Sequence, residues 1–199
     1  MEEWALRGMQ RWPNVPALFG WLGLDRRGRW LIKGEVITRP QIIDTISRNY
    51  EADPHGRWFF QNGPQRGFVT LEYAPVVLHV HADALITHAG QRVNEPSAAY
   101  LDESGSLVIQ TEYGPGLLVD TDLEWALQRI NVSGAPVDED ALAAALALRS
   151  GDCTQLTIAI GKHPLPVLRL DQNDAPDRLG FVRDPQPLEG ESVSNRVAD

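Results

Sequence analysis

The feature that most constrains the fold is an internal echo in the sequence. Residues 34–46 align without gaps on residues 134–146, and the strongest matches are Gly34 with Gly134, Ile42 with Leu142 and Ile46 with Leu146. In the first copy a predicted strand at residues 29–33 precedes the glycine, and two more strands, at residues 57–61 and 68–73, follow a predicted helix. In the second copy the corresponding strands are predicted at residues 129–133, 156–160 and 166–170. An element order that recurs in this way is typical of a repeated unit. The sequence therefore predicts a duplicated strand–helix–strand–strand unit; the alternative is a chance likeness of two capped helices.

The predicted strands are separated by three turns of one type. Asp25, Asp53 and Asp102 each begin an Asp-x-x-Gly sequence, and the residues after the glycine are mostly aromatic or aliphatic. Aspartate at the first position and glycine at the fourth are typical of a type I turn. Together with the echo, these turns predict an α+β fold of mainly antiparallel sheets with two main helices.

The first main helix is predicted at about residues 39–50. Thr38 stands three residues before Gln41, the spacing of a capping box, and Pro40 favours the first helical turn. In the second copy Asp138 occupies the capping position.

Composition shifts predict four segments. Residues 1–24 form a helical and aromatic N-terminal segment, with a short helix at residues 2–12, and residues 25–120 form a first α+β lobe with a β extension. Residues 121–183 form a second α+β lobe. Residues 184–199 are rich in proline, serine and acidic residues, so we expect a mobile tail.

Charge and cysteine content limit the function classes. The 199 residues carry a formal net charge of −9 and a single cysteine. Phosphate-binding surfaces are normally basic, so the sequence predicts no binding of nucleic acid and none of an anionic membrane. No apolar run approaches the roughly 18 residues of a membrane span, and the acidic first residues do not resemble a secretory leader. The expected location is the cytoplasm.

Three short stretches resemble a known family. They are residues 25–30 (DRRGRW), 53–60 (DPHGRWFF) and 71–75 (LEYAP), and their pattern is similar to the uncharacterised proteobacterial family known as domain of unknown function 1285. The resemblance covers roughly residues 20–120. It implies a repeated α+β fold and a suggested role in signalling or ligand binding. Because these motifs form turns and strand edges, the resemblance assigns no functional residue. The aromatic N-terminal segment and the loop at residues 61–67 depart from the pattern.

The loop between the strands at 57–61 and 68–73 is the main candidate site. It concentrates hydrogen-bonding side chains between phenylalanines, namely Gln61, Asn62, Gln65 and Arg66. Polar groups that converge beside aromatic walls are typical of a ligand pocket, although the end of a hairpin is polar in any case. Arg26 and Arg27, in the first Asp-x-x-Gly turn, are candidate anion ligands. Their alternative role is to pair with the acidic second half of the chain.

A metal site is the competing interpretation. His79 and His81 alternate on one predicted strand and share a face, with Asp83 and His88 nearby. This arrangement occurs in some metal-dependent hydrolases, but no second ligand motif accompanies it. The same histidines also suit the solvent face of a strand. No phosphate-binding or dinucleotide motif is present, so no cofactor is predicted.

These observations predict a non-catalytic ligand-sensing or protein-interaction module with a possible signalling role. Its small-molecule or protein partner is not identified by the sequence, and a homodimer is a further possibility because sheet edges invite pairing. The alternative is a metal-dependent hydrolase that uses His79 and His81.

Overall fold

The chain divides into two compact units. The structure, a computed structural model, describes residues 17–191 and 193, and in addition residues 3 and 7. Unit 1 comprises Met1–Tyr73 and Phe181–Asp199, and unit 2 comprises Ala74–Gly180. Most of the predicted helix at residues 2–12, and the end of the predicted tail at residues 192 and 194–199, lie outside the described residues. The four-segment division of the sequence stays a prediction.

Unit 1 is built on a mixed sheet with a helix packed against it. The strands follow the order β3-β2-β1-β6-β5-β4, and β1 and β6 are parallel while the other neighbours are antiparallel. Its elements are β1 (Leu18–Leu24), β2 (Trp30–Ile32), β3 (Glu35–Val36), α1 (Pro40–Arg48), β4 (Tyr50–Ala52), β5 (Trp58–Asn62) and β6 (Gln65–Leu71). Phe59 and Phe68 are almost fully buried, and the Phe19 ring stacks on Phe68 at 4.5 Å between centroids.

Helix α1 begins one residue later than the capping pattern predicts. Its N-cap is Arg39, which makes no side-chain capping hydrogen bond, and Pro40 occupies the first turn. The predicted Thr38 cap is therefore wrong: the fixed φ of Pro40 is already helical, so the helix starts there and Thr38 lies outside it. The equivalent prediction for the second helix is confirmed, because the Asp138 side chain accepts a hydrogen bond from the Ala141 N–H at 2.8 Å.

Unit 2 contains a second mixed sheet. The strands follow the order β13-β12-β14-β15-β9-β10-β11-β7-β8, with β11 parallel to β7 and β15 parallel to β9. Its strands are β7 (Val76–His81), β8 (Ala84–Thr87), β9 (Ala98–Leu101), β10 (Leu107–Thr111), β11 (Gly114–Leu118), β12 (Ile130–Val132), β13 (Ala135–Pro136), β14 (Cys153–Ile158) and β15 (Leu165–Arg169). Its helices are a 3₁₀ turn (Asp120–Asp122), α2 (Leu123–Leu127), α3 (Glu139–Leu146) and α4 (Ala175–Leu179).

The α+β class is confirmed, but the strand directions need correction. Both sheets are mixed, and each parallel pair joins strands that are not consecutive in sequence. Alternation of apolar residues reports which face of a strand is buried and not which direction its neighbour runs. The two predicted main helices are α1 and α3, and α2 and α4 are further helices of five residues each.

The two halves of the sequence echo share their local geometry. Gly34 and Gly134 both have a φ of 83°, and the N–H groups of Ile37 and Val137 donate to equivalent strand carbonyls, at 2.8 Å and 3.1 Å. Their sheet neighbours differ, because β2 lies between β3 and β1 whereas β12 lies between β13 and β14. Duplication of a whole unit therefore stays a prediction.

The three predicted Asp-x-x-Gly turns are present. The Gly28, Gly56 and Gly105 N–H groups donate to the carbonyls of the leading aspartates at 3.0–3.1 Å. Each aspartate carboxylate also accepts from two backbone N–H groups within its own turn. In the described part of the chain, no helix is long and apolar enough to cross a bilayer.

Candidate functional site

The predicted polar loop is the tight end of the β5–β6 hairpin. Gln61 is fully buried, and its Nε2 donates to the carbonyl of Gly63 at 2.7 Å and to that of Gln65 at 3.4 Å. Its Oε1 accepts from Arg66 Nε at 3.2 Å. The Arg66 guanidinium lies over the Phe59 ring at 4.4 Å. Gln61 and Arg66 therefore hold the turn together.

The other two loop residues, Asn62 and Gln65, line a groove between helix α1 and the sheet of unit 1. The groove has a volume of about 410 Å³, within the usual range of small-molecule sites. Helix α1 contributes one wall through Gln41, Ile42, Thr45 and Ile46, and the sheet contributes Leu18, Leu22, Phe60 and Gly67. Trp21, Ile32 and Ile37 complete the described lining, which contains no charged side chain.

The groove exists because the sheet lacks a side chain beneath the helix. Gly67 pairs with Phe60 across β5 and β6 and with Leu18 of β1. A Cβ at Gly67 would meet nothing closer than the Phe60 carbonyl oxygen, at 3.9 Å. The space that a larger residue would fill is therefore left open.

An irregularity in β1 widens the lining. The register of β1 against β6 shifts between Leu18 and Leu22, and Gly20 in this interval has a φ of 70°. The consecutive residues Trp21 and Leu22 both line the groove, which the strict alternation of a regular strand does not allow. The bulge thus adds an aromatic wall.

Apolar side chains remain exposed at this groove. Ile32 is 49% exposed and Ile42 is 42% exposed, and both line it. Adjacent apolar surface of this kind is typical of a binding site.

The candidate arginines lie at the other end of the sheet. Arg26 and Arg27 follow β1, whose last residue pairs with Leu71, whereas the hairpin loop precedes Gln65 at the start of β6. The length of β6 separates the two positions by about 20 Å. The Arg26 guanidinium lies over the Tyr73 ring at 4.7 Å, and the Arg27 N–H donates to Asp25 at 2.9 Å. The structure does not bring these arginines to the loop.

The histidines of β7 do not gather a ligand set. His88 accepts from the Val77 N–H through Nδ1 at 3.2 Å, and its pKa is lowered to about 4 by burial and, secondarily, by the charge of His79. His81 is exposed. Asp83 accepts from the Trp125 indole and pairs with Arg129. Among the described residues no group of three or more His, Cys, Asp or Glu side chains could hold a metal ion, so the hydrolase interpretation gains no support.

Comparison with known proteins places the chain in a family. The family model DUF2944, described as "Protein of unknown function (DUF2946)", matches residues 1–186. The chain belongs to this DUF2944 family. No curated protein matches it.

Two solved structures resemble this DUF2944 member. A DUF1285 family protein from Silicibacter pomeroyi DSS-3 is 13% identical with a TM-score of 0.51, and the match covers 77% of this chain and 84% of that chain. A DUF1285 family protein from Shewanella baltica OS155 is 16% identical with a TM-score of 0.42, covering 56% of this chain and 90% of that chain. The resemblance predicted from the sequence is therefore confirmed. At these identities, the likeness to the first structure concerns the fold alone.

Part of the groove, but not the groove itself, is visible in the sequence. The sequence shows an apolar stripe on α1 that includes Ile42 and Ile46. What no local pattern reveals is that Gly67 of this DUF2944 member lies beneath that stripe, because the pairing of β6 with β1 joins distant parts of the chain.

Proposed function

We propose that this DUF2944 protein is a ligand-binding module whose unit 1 takes a small, uncharged, largely apolar molecule into the groove beneath α1. The observation that carries the proposal is the lining of the groove. Its apolar walls would bury the apolar part of a ligand, and Asn62 and Gln65 provide neutral hydrogen-bonding groups at the hairpin.

The uncharged lining selects the chemistry of the ligand. A charged headgroup that enters the groove would lose water without gaining an ionic partner, which costs several kcal/mol when the charge is fully buried. A hydroxyl or amide needs only the kind of partner that the Asn62 and Gln65 amides provide. The favoured ligand class is therefore a neutral amphiphile with a short apolar chain or ring.

A ligand in this position would also provide a route to sensing. The groove is formed by α1 on one side and by β1, β5 and β6 on the other. A bound molecule would contact both sides and would oppose opening of the helix from the sheet. Stabilisation by a ligand at 100 times its dissociation constant is about 2.7 kcal/mol.

The test is a thermal-unfolding titration with three matched probes: 1-decanol, decanoate and decylamine. We expect 1-decanol to raise the melting temperature most, because it alone has no charge. Gly67→Leu should abolish this rise by filling the groove, whereas Gly67→Ala should keep most of it. The doubly substituted Asn62→Ala/Gln65→Ala protein should bind 1-decanol more weakly than the parent protein does.

Two outcomes would overturn the proposal. One is the absence of any 1-decanol effect on a folded protein, and the other is an effect that Gly67→Leu leaves intact. A protein partner, including a second copy of this chain, is the competing occupant of the groove. A dimer in light scattering that both Gly67→Leu and Ile42→Glu dissociate, without 1-decanol binding, would favour that interpretation.

A further inference from the structure

Unit 2 concentrates its few cations around one cavity. It contains six Lys and Arg residues against fifteen Asp and Glu residues. Three of the six, Arg92, Arg129 and Lys162, line a cavity of about 420 Å³. The described lining carries these three cations against one carboxylate, Asp83, so the cavity is positive in a unit that is acidic as a whole.

One of these cations is fixed in position. Arg129 forms an ion pair with Asp83, and its Nη1 donates to the Trp125 carbonyl at 3.0 Å. Its guanidinium lies over the Trp125 ring at 4.1 Å, and the Trp125 indole N–H donates to Asp83 at 2.7 Å. These contacts hold the side chains of the Asp83–Trp125–Arg129 cluster in a fixed arrangement on one side of the cavity.

In the part of the chain that the structure describes, the other two cations have no acidic partner. Within the described residues, the side chains of Arg92 and Lys162 make no ion pair or hydrogen bond. Asp83 is the one carboxylate in the described lining, and Arg129 already balances it. Both side chains are exposed, so their positive charge faces solvent and is not balanced by a carboxylate of the described lining.

The loop that carries Arg92 is itself held in place. The Glu112 carboxylate accepts from the N–H groups of Asn94 and Glu95 at 2.7 Å and 3.2 Å, and Asn94 Nδ2 donates to the Arg92 carbonyl at 3.1 Å. Glu112 lies outside the described cavity lining. The backbone of Arg92 is anchored while its side chain is left available.

We propose that this cavity, the cation pocket, binds a small oxyanion with two or more negative charges, such as a phosphate ester or a polycarboxylate. Arginine presents a planar pair of donors to such groups, and lysine adds a point charge. The surrounding acidic surface disfavours a long polyanion, since its remaining charges would be repelled. This site lies in unit 2 and is independent of the groove in unit 1.

The experiment is isothermal titration of the full chain with inorganic pyrophosphate and with citrate. We expect binding that weakens as salt is added. Arg92→Gln and Lys162→Gln should each reduce the affinity about tenfold, the loss expected for one charge-assisted contact. The two probes separate a phosphate preference from a carboxylate preference.

The matched controls are Arg149→Gln and Arg178→Gln. Both residues are exposed cations of unit 2 outside the cavity lining, and each substitution changes the net charge by the same amount. Their affinities should equal that of the parent protein. The proposal is overturned if neither probe binds at millimolar concentration, or if the control substitutions weaken binding as much as the pocket substitutions do. Unchanged melting temperatures verify that each variant is folded.

Discussion

Arg57 is a buried cation of unit 1 with two carboxylate partners. Its guanidinium pairs with Asp53 at 2.7 Å, and the exposed fractions of the two side chains are only 6% and 3%. The same guanidinium pairs with Glu191 at 2.7 Å, donates to the Gln186 carbonyl at 3.1 Å and lies over the Phe68 ring at 4.3 Å. One side chain thus joins a turn, the aromatic core and the C-terminal segment.

The carboxylates around Arg57 have lowered pKa values. Burial by itself raises the pKa of Asp53, but hydrogen bonds from the Arg57 backbone and side chain and from the His55 N–H outweigh it. Burial likewise opposes ionisation of Glu191, and hydrogen bonds from Arg57 and the Leu188 N–H overcome it and lower its pKa. A lowered folded-state pKa means that both groups stabilise the fold when ionised.

We predict that Arg57→Gln lowers the free energy of unfolding by about 3–5 kcal/mol at neutral pH, because it leaves a buried carboxylate without its charge partner. In the parent protein, the contribution of Asp53 and Glu191 is complete above their unfolded-state pKa values, about 4. It is lost as the pH falls through the lower folded-state values. The acid-induced loss of stability should therefore be smaller in Arg57→Gln. Urea denaturation across this pH range measures both effects.

Arg29→Gln provides the control. Arg29 pairs with Asp25 in an equivalent turn at 2.6 Å, but its side chain is 53% exposed. Exposed ion pairs contribute about 0–1 kcal/mol. Equal destabilisation by the two substitutions would contradict the assigned importance of burial.

At the scale of elements, two strand glycines have opposite roles. A Cβ at Gly116 of β11 would come within 2.7 Å of the Leu78 side chain, which is fully buried. A Cβ at Gly67 of β6 has room, and this glycine has no positive φ. The first glycine permits close packing, whereas the second leaves a groove.

We predict that Gly116→Ala destabilises the protein by about 1–3 kcal/mol, because the buried Leu78 has little freedom to move away. Gly67→Ala should be neutral or slightly stabilising, because alanine restricts the unfolded chain without straining the strand. Chemical denaturation of the two variants side by side measures the difference. A Gly67→Ala variant as unstable as Gly116→Ala would show that the groove is not open space.

Elements governed by local chemistry could be predicted from the sequence. The Asp53 turn depends on contacts within five residues, and the Asp138 cap depends on contacts within four. The parallel pairing of β1 with β6 joins residues such as Leu18 and Gly67, and no local pattern encodes it. The groove depends on that pairing, so the sequence predicted Asn62 and Gln65 beside phenylalanines without revealing the walls that α1 and β1 supply.

At the scale of the whole molecule, the two units differ in the number of chain segments that form them. Unit 2 is one continuous segment, whereas unit 1 combines residues on both sides of it. In unit 1 the C-terminal segment, Phe181–Asp199, forms backbone hydrogen bonds with the first part of the unit. The Leu71 N–H donates to the Arg183 carbonyl at 2.7 Å, and the Val182 N–H donates to the Gly56 carbonyl at 2.9 Å. Arg183 Nε also donates to the Tyr73 carbonyl at 3.0 Å.

We therefore predict that deletion of Phe181–Asp199 destabilises unit 1 selectively. The deletion removes these hydrogen bonds and the Glu191 partner of Arg57, while every strand of the unit 2 sheet is retained. Hydrogen exchange read by peptide mass spectrometry should show loss of protection in β1, β5 and β6, with protection of β9 and β10 unchanged. A deletion of residues 194–199 alone retains each of these contacts and should leave both units protected. Equal loss in β9 and β10 would contradict the division into two stability units, because unit 2 would then depend on a segment that contributes nothing to its sheet.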